Sequence, residues 1–153
     1  MDKRKIIQWE KDKLNVSTQE KKIVLVGGCF DLLHYGHITF LKQAKKYGDS
    51  LVVALESDEF ILIRKKRKPV HTQKQRAEIL AELRVVDTII CLPLFTTDSE
   101  YYELVQEIQP AVIVVTEGDK QLDNKKKQAG LVEARLEVAP YVKSFSTTNI
   151  LQL

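Results

Sequence analysis

The sequence is poor in cysteine. Only Cys29 and Cys91 occur in 153 residues, too few for a disulfide framework, so a reduced, cytoplasmic setting is expected. Long hydrophobic runs are also missing. The longest, such as Ala111 to Val115, fall far short of the ~20 residues that span a bilayer, so no membrane partner is expected. No apolar stretch follows Met1-Asp2-Lys3-Arg4-Lys5, which argues against a secretory signal. An excess of one charge is nearly absent, with Lys+Arg 24 against Asp+Glu 21, and a net +3 gives no ground for a nucleic-acid partner. Neither Gly-x-Gly-x-x-Gly nor Gly-Lys-Ser/Thr occurs, which excludes the dinucleotide fingerprint and the P-loop. The few His and Cys complete no tetrahedral zinc set, and no protein-built metal site is expected. What remains is 44% hydrophobic and 29% charged, as in one soluble globular domain.

Apolar runs alternate with helix-period segments. Lys22 to Val26, Leu51 to Leu55, Val85 to Leu92, Ala111 to Thr116 and the weaker Arg135 to Val138 read as strands. Their continuous Val/Ile/Leu character predicts burial on both faces. Between them, Ile38 to Tyr47, Thr72 to Leu83, Asp98 to Ile108 and Gln121 to Gly130 read as helices. Thr72 is a candidate N-cap, Gly48 follows the first helix as a stop, and Pro110 follows the third. This alternation predicts an α/β fold, a Rossmann-like parallel sheet of about five strands with helices on both faces. Residues 1–21 read as an N-terminal arm or helix in which Trp9 is a packing anchor. Residues 22–153 form the main domain.

The chemistry-bearing segment runs from the first strand into Gly27-Gly28-Cys29-Phe30-Asp31-Leu32-Leu33-His34-Tyr35-Gly36-His37. Ligands of open parallel sheets bind beyond the carboxyl ends of strands. A helix N-terminus there offers N–H groups to a phosphate, and Gly36 permits close approach. His34 and His37 lie three apart, so at a helix start they share a side. Two imidazoles so placed can donate hydrogen bonds to phosphate oxygens as charge builds up. The plainer reading is two surface histidines. His-x-Gly-His arises by chance in well under ~1% of chains of this composition, and its position directly after a strand favours a site.

The run Gly28 to His37 resembles the signature of the cytidylyltransferase-like nucleotidyltransferases, and the likeness extends from Lys22 to Leu153. In that family the His-x-Gly-His segment binds the α- and β-phosphates of a nucleoside triphosphate. A phosphate oxygen of the second substrate attacks the α-phosphorus in line, and pyrophosphate leaves. The resemblance implies nucleotide contacts from Gly28, Cys29, Phe30, Asp31, His34 and His37, and Mg²⁺ accompanying the triphosphate. Ser57-Asp58-Glu59-Phe60 is similar to the family's segment after the second strand. The following Arg64-Lys65-Lys66-Arg67-Lys68 is similar to its lysine-bearing loop. Lys66 is the counterpart chosen by spacing, with Arg64 and Lys65 as alternatives, and Lys66 and Asp31 would also meet the acceptor. Arg76 matches the family's Glu-x-Arg helix and would face phosphate. Arg84 would contact nucleotide or acceptor. Glu117, Gly118 and Asp119 resemble the loop bordering base and ribose. Ser146, Thr147 and Thr148 resemble the closing Ser-Thr-Thr motif that holds the β- and γ-phosphates.

The nearest relatives in look are the adenylyltransferase domain of ADP-heptose synthase and glycerol-3-phosphate cytidylyltransferase. Two departures separate the chain from these branches. Thr116-Glu117-Gly118-Asp119 stands where the former has Lys-Gly-Gly-Asp, and Lys143 stands nearest to where many cytidylyltransferases carry an arginine. The expected reaction joins a nucleoside monophosphate from ATP to a sugar phosphate. The alternatives are CTP with glycerol 3-phosphate or phosphoethanolamine, an FAD synthetase-like reaction, and a non-enzymatic nucleotide sensor. A class I aminoacyl-tRNA synthetase shares the His motif but needs a longer chain. A homodimer is expected from the resemblance.

Overall fold

The computed structural model describes residues 2–16, 21–142 and 150–151. Its six strands are β1 (Ile6–Gln8), β2 (Ile23–Gly28), β3 (Ser50–Leu55), β4 (Thr88–Cys91), β5 (Val112–Thr116) and β6 (Arg135–Ala139). They form one sheet in the order β1-β4-β3-β2-β5-β6, and every pairing is parallel. The five expected strands are all present. The sixth, β1, comes from the N-terminal segment expected as an arm or helix. It pairs with β4 at the sheet edge, and Trp9 just beyond it stands edge-on to Phe95 at 6.3 Å. A three-residue run gives too little periodicity for this strand to be seen in advance.

The helices are α1 (Tyr35–Lys45), α2 (Asp58–Lys65), α3 (Gln73–Ala81), α4 (Asp98–Ile108) and α5 (Leu122–Leu131). On one face Leu41 and Ala44 of α1 join Ala77 and Leu80 of α3 against Val24, Val26, Leu51 and Val53. On the other, Leu104, Val105 and Ile108 of α4 join Ala129 of α5 against Leu25, Val52, Ile113 and Val115. β3 is buried at all six positions, the signature of a strand covered on both sides. Each such Leu, Ile or Val contributes about 1.5–3 kcal/mol by leaving water.

α2 is the helix that periodicity missed. Of its eight residues only Ile61 is buried, while Leu62 and Ile63 are exposed, so no clean apolar stripe exists. Its ends define it instead. The Ser57 hydroxyl accepts the Phe60 N–H at 3.1 Å, with Asp58 and Glu59 in the first turn and Arg64 and Lys65 in the last. That charge order complements the helix dipole. Lys66 then turns the chain with φ 55°, in the left-handed region. The run of five cations is therefore half helix and half loop. In α3, Thr72 caps as expected and Gln75 returns the bond to the Thr72 N–H.

From β2 the chain builds toward β3 and β4, then returns through α4 to the other side of β2 for β5 and β6. This makes β2/β5 the switch point of the sheet. The β2–β3 ladder continues to Gly28 and Leu55, whereas the β2–β5 ladder stops at Leu25 and Ile113. The strands part there, and a crevice opens beyond their carboxyl ends.

Candidate functional site

A cleft of about 510 Å³ occupies that crevice. Gly27 to Asp31, His34, Gly36 and His37 line one flank, and Thr116 to Asp119 with Tyr141 and Val142 line the other. The turn that leaves β2 is tight. Phe30 and Leu32 take φ of 45° and 53°, a conformation that L side chains adopt at a cost. A Cβ on Gly28 would meet the Phe30 ring at 3.0 Å, so glycine lets the Phe30 ring fold back. That ring then stacks obliquely against His37, 5.2 Å between centroids.

The two histidines are locked by the first turn of α1. The His37 N–H donates to His34 Nδ1 at 3.4 Å, and the His34 N–H donates to His37 Nδ1 at 3.3 Å. This is a reciprocal capping box built from imidazoles. The rings stack 3.7 Å apart. With both Nδ1 atoms accepting, the proton of each neutral ring sits on Nε2. Burial holds His34 below its usual pKa. Burial, aided by the charge of His34, pushes His37 down to about 4. Both are therefore neutral Nε2–H donors near pH 7. Beside them, burial pushes the Cys29 thiol up to about 11, so it stays protonated and offers no thiolate nucleophile.

The structure distributes the other expected residues unevenly. Asp31 lines the cleft, but its carboxylate accepts from Arg67 Nη1 at 2.7 Å and from the Val70 and His71 N–H groups at 2.9 and 3.0 Å. Burial works against its charge, but these bonds outweigh burial and hold its pKa low. It thereby ties the basic loop to the turn after β2. Lys65 and Arg67 line the cleft, while Lys66 is exposed and is not among the lining residues. Arg76 has its side chain 0% exposed and points into the protein. Its Nε donates to the His71 carbonyl, Nη1 to the Cys29 and Glu56 carbonyls, and Nη2 to Asp58 Oδ1, all between 2.6 and 3.1 Å. It clamps the loops after β2 and β3 together. Arg84 is exposed on the connection into β4, at the amino end of the parallel strands, opposite the cleft. Gly118 takes φ +81°, which favours glycine, in a turn closed by the Asp119 N–H on the Thr116 carbonyl. Asp119 in turn accepts the Gln121 N–H at 2.7 Å, opening α5. Ser146, Thr147 and Thr148 lie outside the described residues.

Three functional candidates escaped sequence reasoning. Glu56 stands at the end of β3, and Lys125 on α5 shares the cleft with it. Tyr101 on α4 donates its hydroxyl to Glu56 Oε1 at 2.8 Å. The rule that points to strand ends identifies Glu56, the first residue past β3. Lys125 lies in the polar helix candidate Gln121 to Gly130, where nothing in the sequence separates it from Lys126 and Lys127. Among the described residues no group of three or more His, Cys, Asp or Glu could hold a metal ion. None of their helices is long and apolar enough to cross a membrane.

Comparison with known proteins matches residues 25–152 to the cytidylyltransferase-like family. The chain is 47% identical over 98 residues to an FAD synthase of Thermococcus onnurineus, covering 63% of each protein. It is 38% identical over 138 residues to the bifunctional protein HldE of Geobacter sulfurreducens, covering 88% of this chain but 27% of that one. The chain thus spans less than two thirds of either relative. Among solved structures, a lipopolysaccharide core biosynthesis protein of Thermoplasma volcanium superposes with a TM-score of 0.63 and 29% identity, covering 80% of this chain and 98% of that one.

Proposed function

The chain belongs to the cytidylyltransferase-like family, a family of nucleotidyltransferases, and we propose that it transfers a nucleoside monophosphate from ATP to a small phosphate monoester, releasing pyrophosphate. The observation that carries this reading is the locked pair His34 and His37, two neutral Nε2–H donors in a cleft at the switch point of a parallel sheet. In the reaction their N–H groups meet oxygens of the α- and β-phosphates. They donate most strongly as negative charge grows on the bridging oxygen of the departing pyrophosphate. Lys65 and Arg67, at the end of α2 and beyond it, add positive charge on the same side. They take the role that the resemblance gave to Lys66. The acceptor's phosphate oxygen attacks phosphorus in line, and positioning supplies most of the rate. Mg²⁺ suits this site only as a companion of the triphosphate, because it keeps waters and takes its other ligands from phosphates. Bound in that way it would spread the charge of the leaving group.

ATP is favoured over CTP because both curated relatives described above are named for FAD synthesis or as HldE, not for cytidylyl transfer. The FAD synthase likeness favours FMN as a second acceptor beside a sugar phosphate. Pyrophosphate release from ATP or CTP across a panel of phosphate monoesters tests the reading. Turnover with ATP, abolished by a chelator and restored by Mg²⁺, is expected. Turnover only with CTP would replace ATP, and no turnover with any pair would leave a nucleotide sensor. A two-fold dimer belongs to the same proposal. The exposed Leu62, Ile63 and Val70 put three apolar side chains on the outer surface of α2 and its following loop, beside exposed Arg64, Lys65 and Lys66. A particle of about 17.6 kDa in sedimentation at micromolar concentration would refute the dimer.

A further inference from the structure

Glu56 is a buried carboxylate on the cleft that also holds His34, His37, Lys65 and Arg67. Its backbone is held at both ends, the N–H on the Gly28 carbonyl at 3.0 Å and the carbonyl on Arg76 Nη1 at 2.9 Å. The residue is 8% exposed. Oε1 accepts from the Tyr101 hydroxyl, while Oε2 is buried with no hydrogen-bond partner. A buried carboxylate oxygen left without a donor is costly, and folded proteins seldom keep one without a use. Lys125 approaches the same floor from α5. Its Nζ lies so near Gly27 that a Cβ there would sit 3.4 Å away. Burial lowers the Lys125 pKa and raises that of Glu56, and against burial the charge of each favours the charged form of the other, with Asp119 adding to the hold on Lys125.

An acceptor from β3 and a cationic donor from α5 thus line one cleft. Phosphate does not suit the pair, since Glu56 repels it. A hydroxyl does, because it donates to a carboxylate and accepts from an ammonium. The assignment rests on the nucleotidyl-transfer reading, in which phosphates lie against His34, His37 and the start of α1. There the base lies against residues 116–119, and the wall of β3 is left to the organic part of the acceptor. We propose that Glu56 and Lys125 form a hydroxyl-reading subsite that selects a polyhydroxylated phosphate monoester as the acceptor. Glu56 Oε2 receives the hydrogen bond of one acceptor hydroxyl, and Lys125 Nζ donates to an acceptor oxygen beside it. An acceptor with an alkyl group at that place leaves Oε2 unpaired and is rejected.

The test uses matched acceptors in the pyrophosphate-release assay. The pairs are glycerol 3-phosphate with propyl phosphate, a hexose 1-phosphate with its deoxyhexose counterparts, and FMN with a phosphoalkyl flavin lacking the ribityl hydroxyls. Wild-type protein should favour the hydroxylated member by about 10- to 100-fold in kcat/KM, the strength of a hydrogen bond to a charged group. Glu56→Gln keeps an oxygen for Tyr101 but puts an amide where the free acceptor stood. It should bring the ratio within the pair close to one, chiefly through KM, and Lys125→Met should narrow the ratio as well. A purely structural Glu56 would lower both members equally together with Tm, and that result overturns the proposal. So does a changed preference for ATP over 2′-deoxy-ATP with the acceptor ratio intact, since Glu56 would then read the nucleotide's ribose. Should Glu56→Gln not fold, wild type and Lys125→Met decide, and the absence of any preference in wild type overturns it. If wild type releases pyrophosphate with no acceptor, nucleotidyl transfer itself fails and this subsite with it. Turnover without hydroxyl preference removes only the subsite.

Discussion

Replacing Arg76 separates two roles that its sequence context confuses. Family likeness makes it a phosphate ligand, whereas its guanidinium is buried and bonded to three carbonyls and to Asp58. In Arg76→Met the carbonyls of His71, Cys29 and Glu56 lose a charged donor at once, and Asp58 loses its partner. Asp58 is 40% exposed, so water can satisfy it and its share is discounted. The Glu56 carbonyl is buried and those of His71 and Cys29 are part-buried, so water satisfies them less readily. Removing one side of a buried charged network costs about 3–5 kcal/mol, a large part of the ~5–15 kcal/mol that holds a domain folded. At about 2–4 °C per kcal/mol for a domain of this size, Tm should fall by roughly 6–20 °C. Arg76→Lys should recover only part, because an ammonium lacks the planar fork that reaches acceptors in several directions. Urea denaturation followed by circular dichroism, beside nucleotide titration of each folded variant, measures both effects. Stability within about 1 kcal/mol of wild type, joined to a tenfold or greater loss of ATP affinity, would refute the clamp and restore the phosphate role.

Other substitutions probe the rest of the site and the frame. His34→Asn keeps a good N-cap for α1 but removes an Nε2–H donor. Turnover should therefore drop by at least ~10²-fold while stability changes by no more than about 1 kcal/mol, as stopped assays and Tm would register. His37 titrates near 4 when folded against about 6.5 when unfolded. The unfolded chain therefore binds the proton first as pH falls, and stability should decline from about pH 6.5 down to 4. His37→Gln should flatten that part of a Tm-against-pH curve, and an unchanged slope would contradict the buried neutral ring. Gly48→Ala would place a Cβ 2.4 Å from the Lys22 carbonyl oxygen. A loss of about 1–3 kcal/mol in denaturant melts is expected from overpacking, and no loss would mean that the turn before β3 relaxes freely.

The sheet was legible because its strands are buried on both faces. Val24 to Val26 and Leu51 to Leu55 leave no polar side for water, and such runs stand out in a linear reading. α2 was illegible for the opposite reason, since caps and end charges make it rather than an apolar stripe. The histidine pair was legible because both residues belong to one helical turn, so spacing along the chain equals placement in space. Arg76 defeats that logic. Its partners include Cys29 and Glu56, 47 and 20 residues away, and only the closed fold shows that its donors are spent on backbone carbonyls and on Asp58. Lys125 and Glu56 come to line one cleft for a similarly non-local reason, across the point where β2 and β5 part. That Lys65 and Arg67 line the cleft and Lys66 does not goes with a single left-handed residue, Lys66 itself, which spacing does not encode.

The reciprocal cap between His34 and His37 also limits what acid–base chemistry the cleft can perform. On each ring one nitrogen is occupied by a backbone N–H and the other already holds a proton. Neither can abstract a proton from a nucleophile unless the first turn of α1 opens. The pair can give but not take. An alcohol or an amine, which must shed a proton as it attacks, would find no base among these rings. A phosphate monoester arrives with its oxygens already ionised near neutral pH and needs none. One turn of helix, by fixing which nitrogen carries hydrogen, therefore suits these two rings to nucleophiles that come deprotonated and gives no base to those that do not.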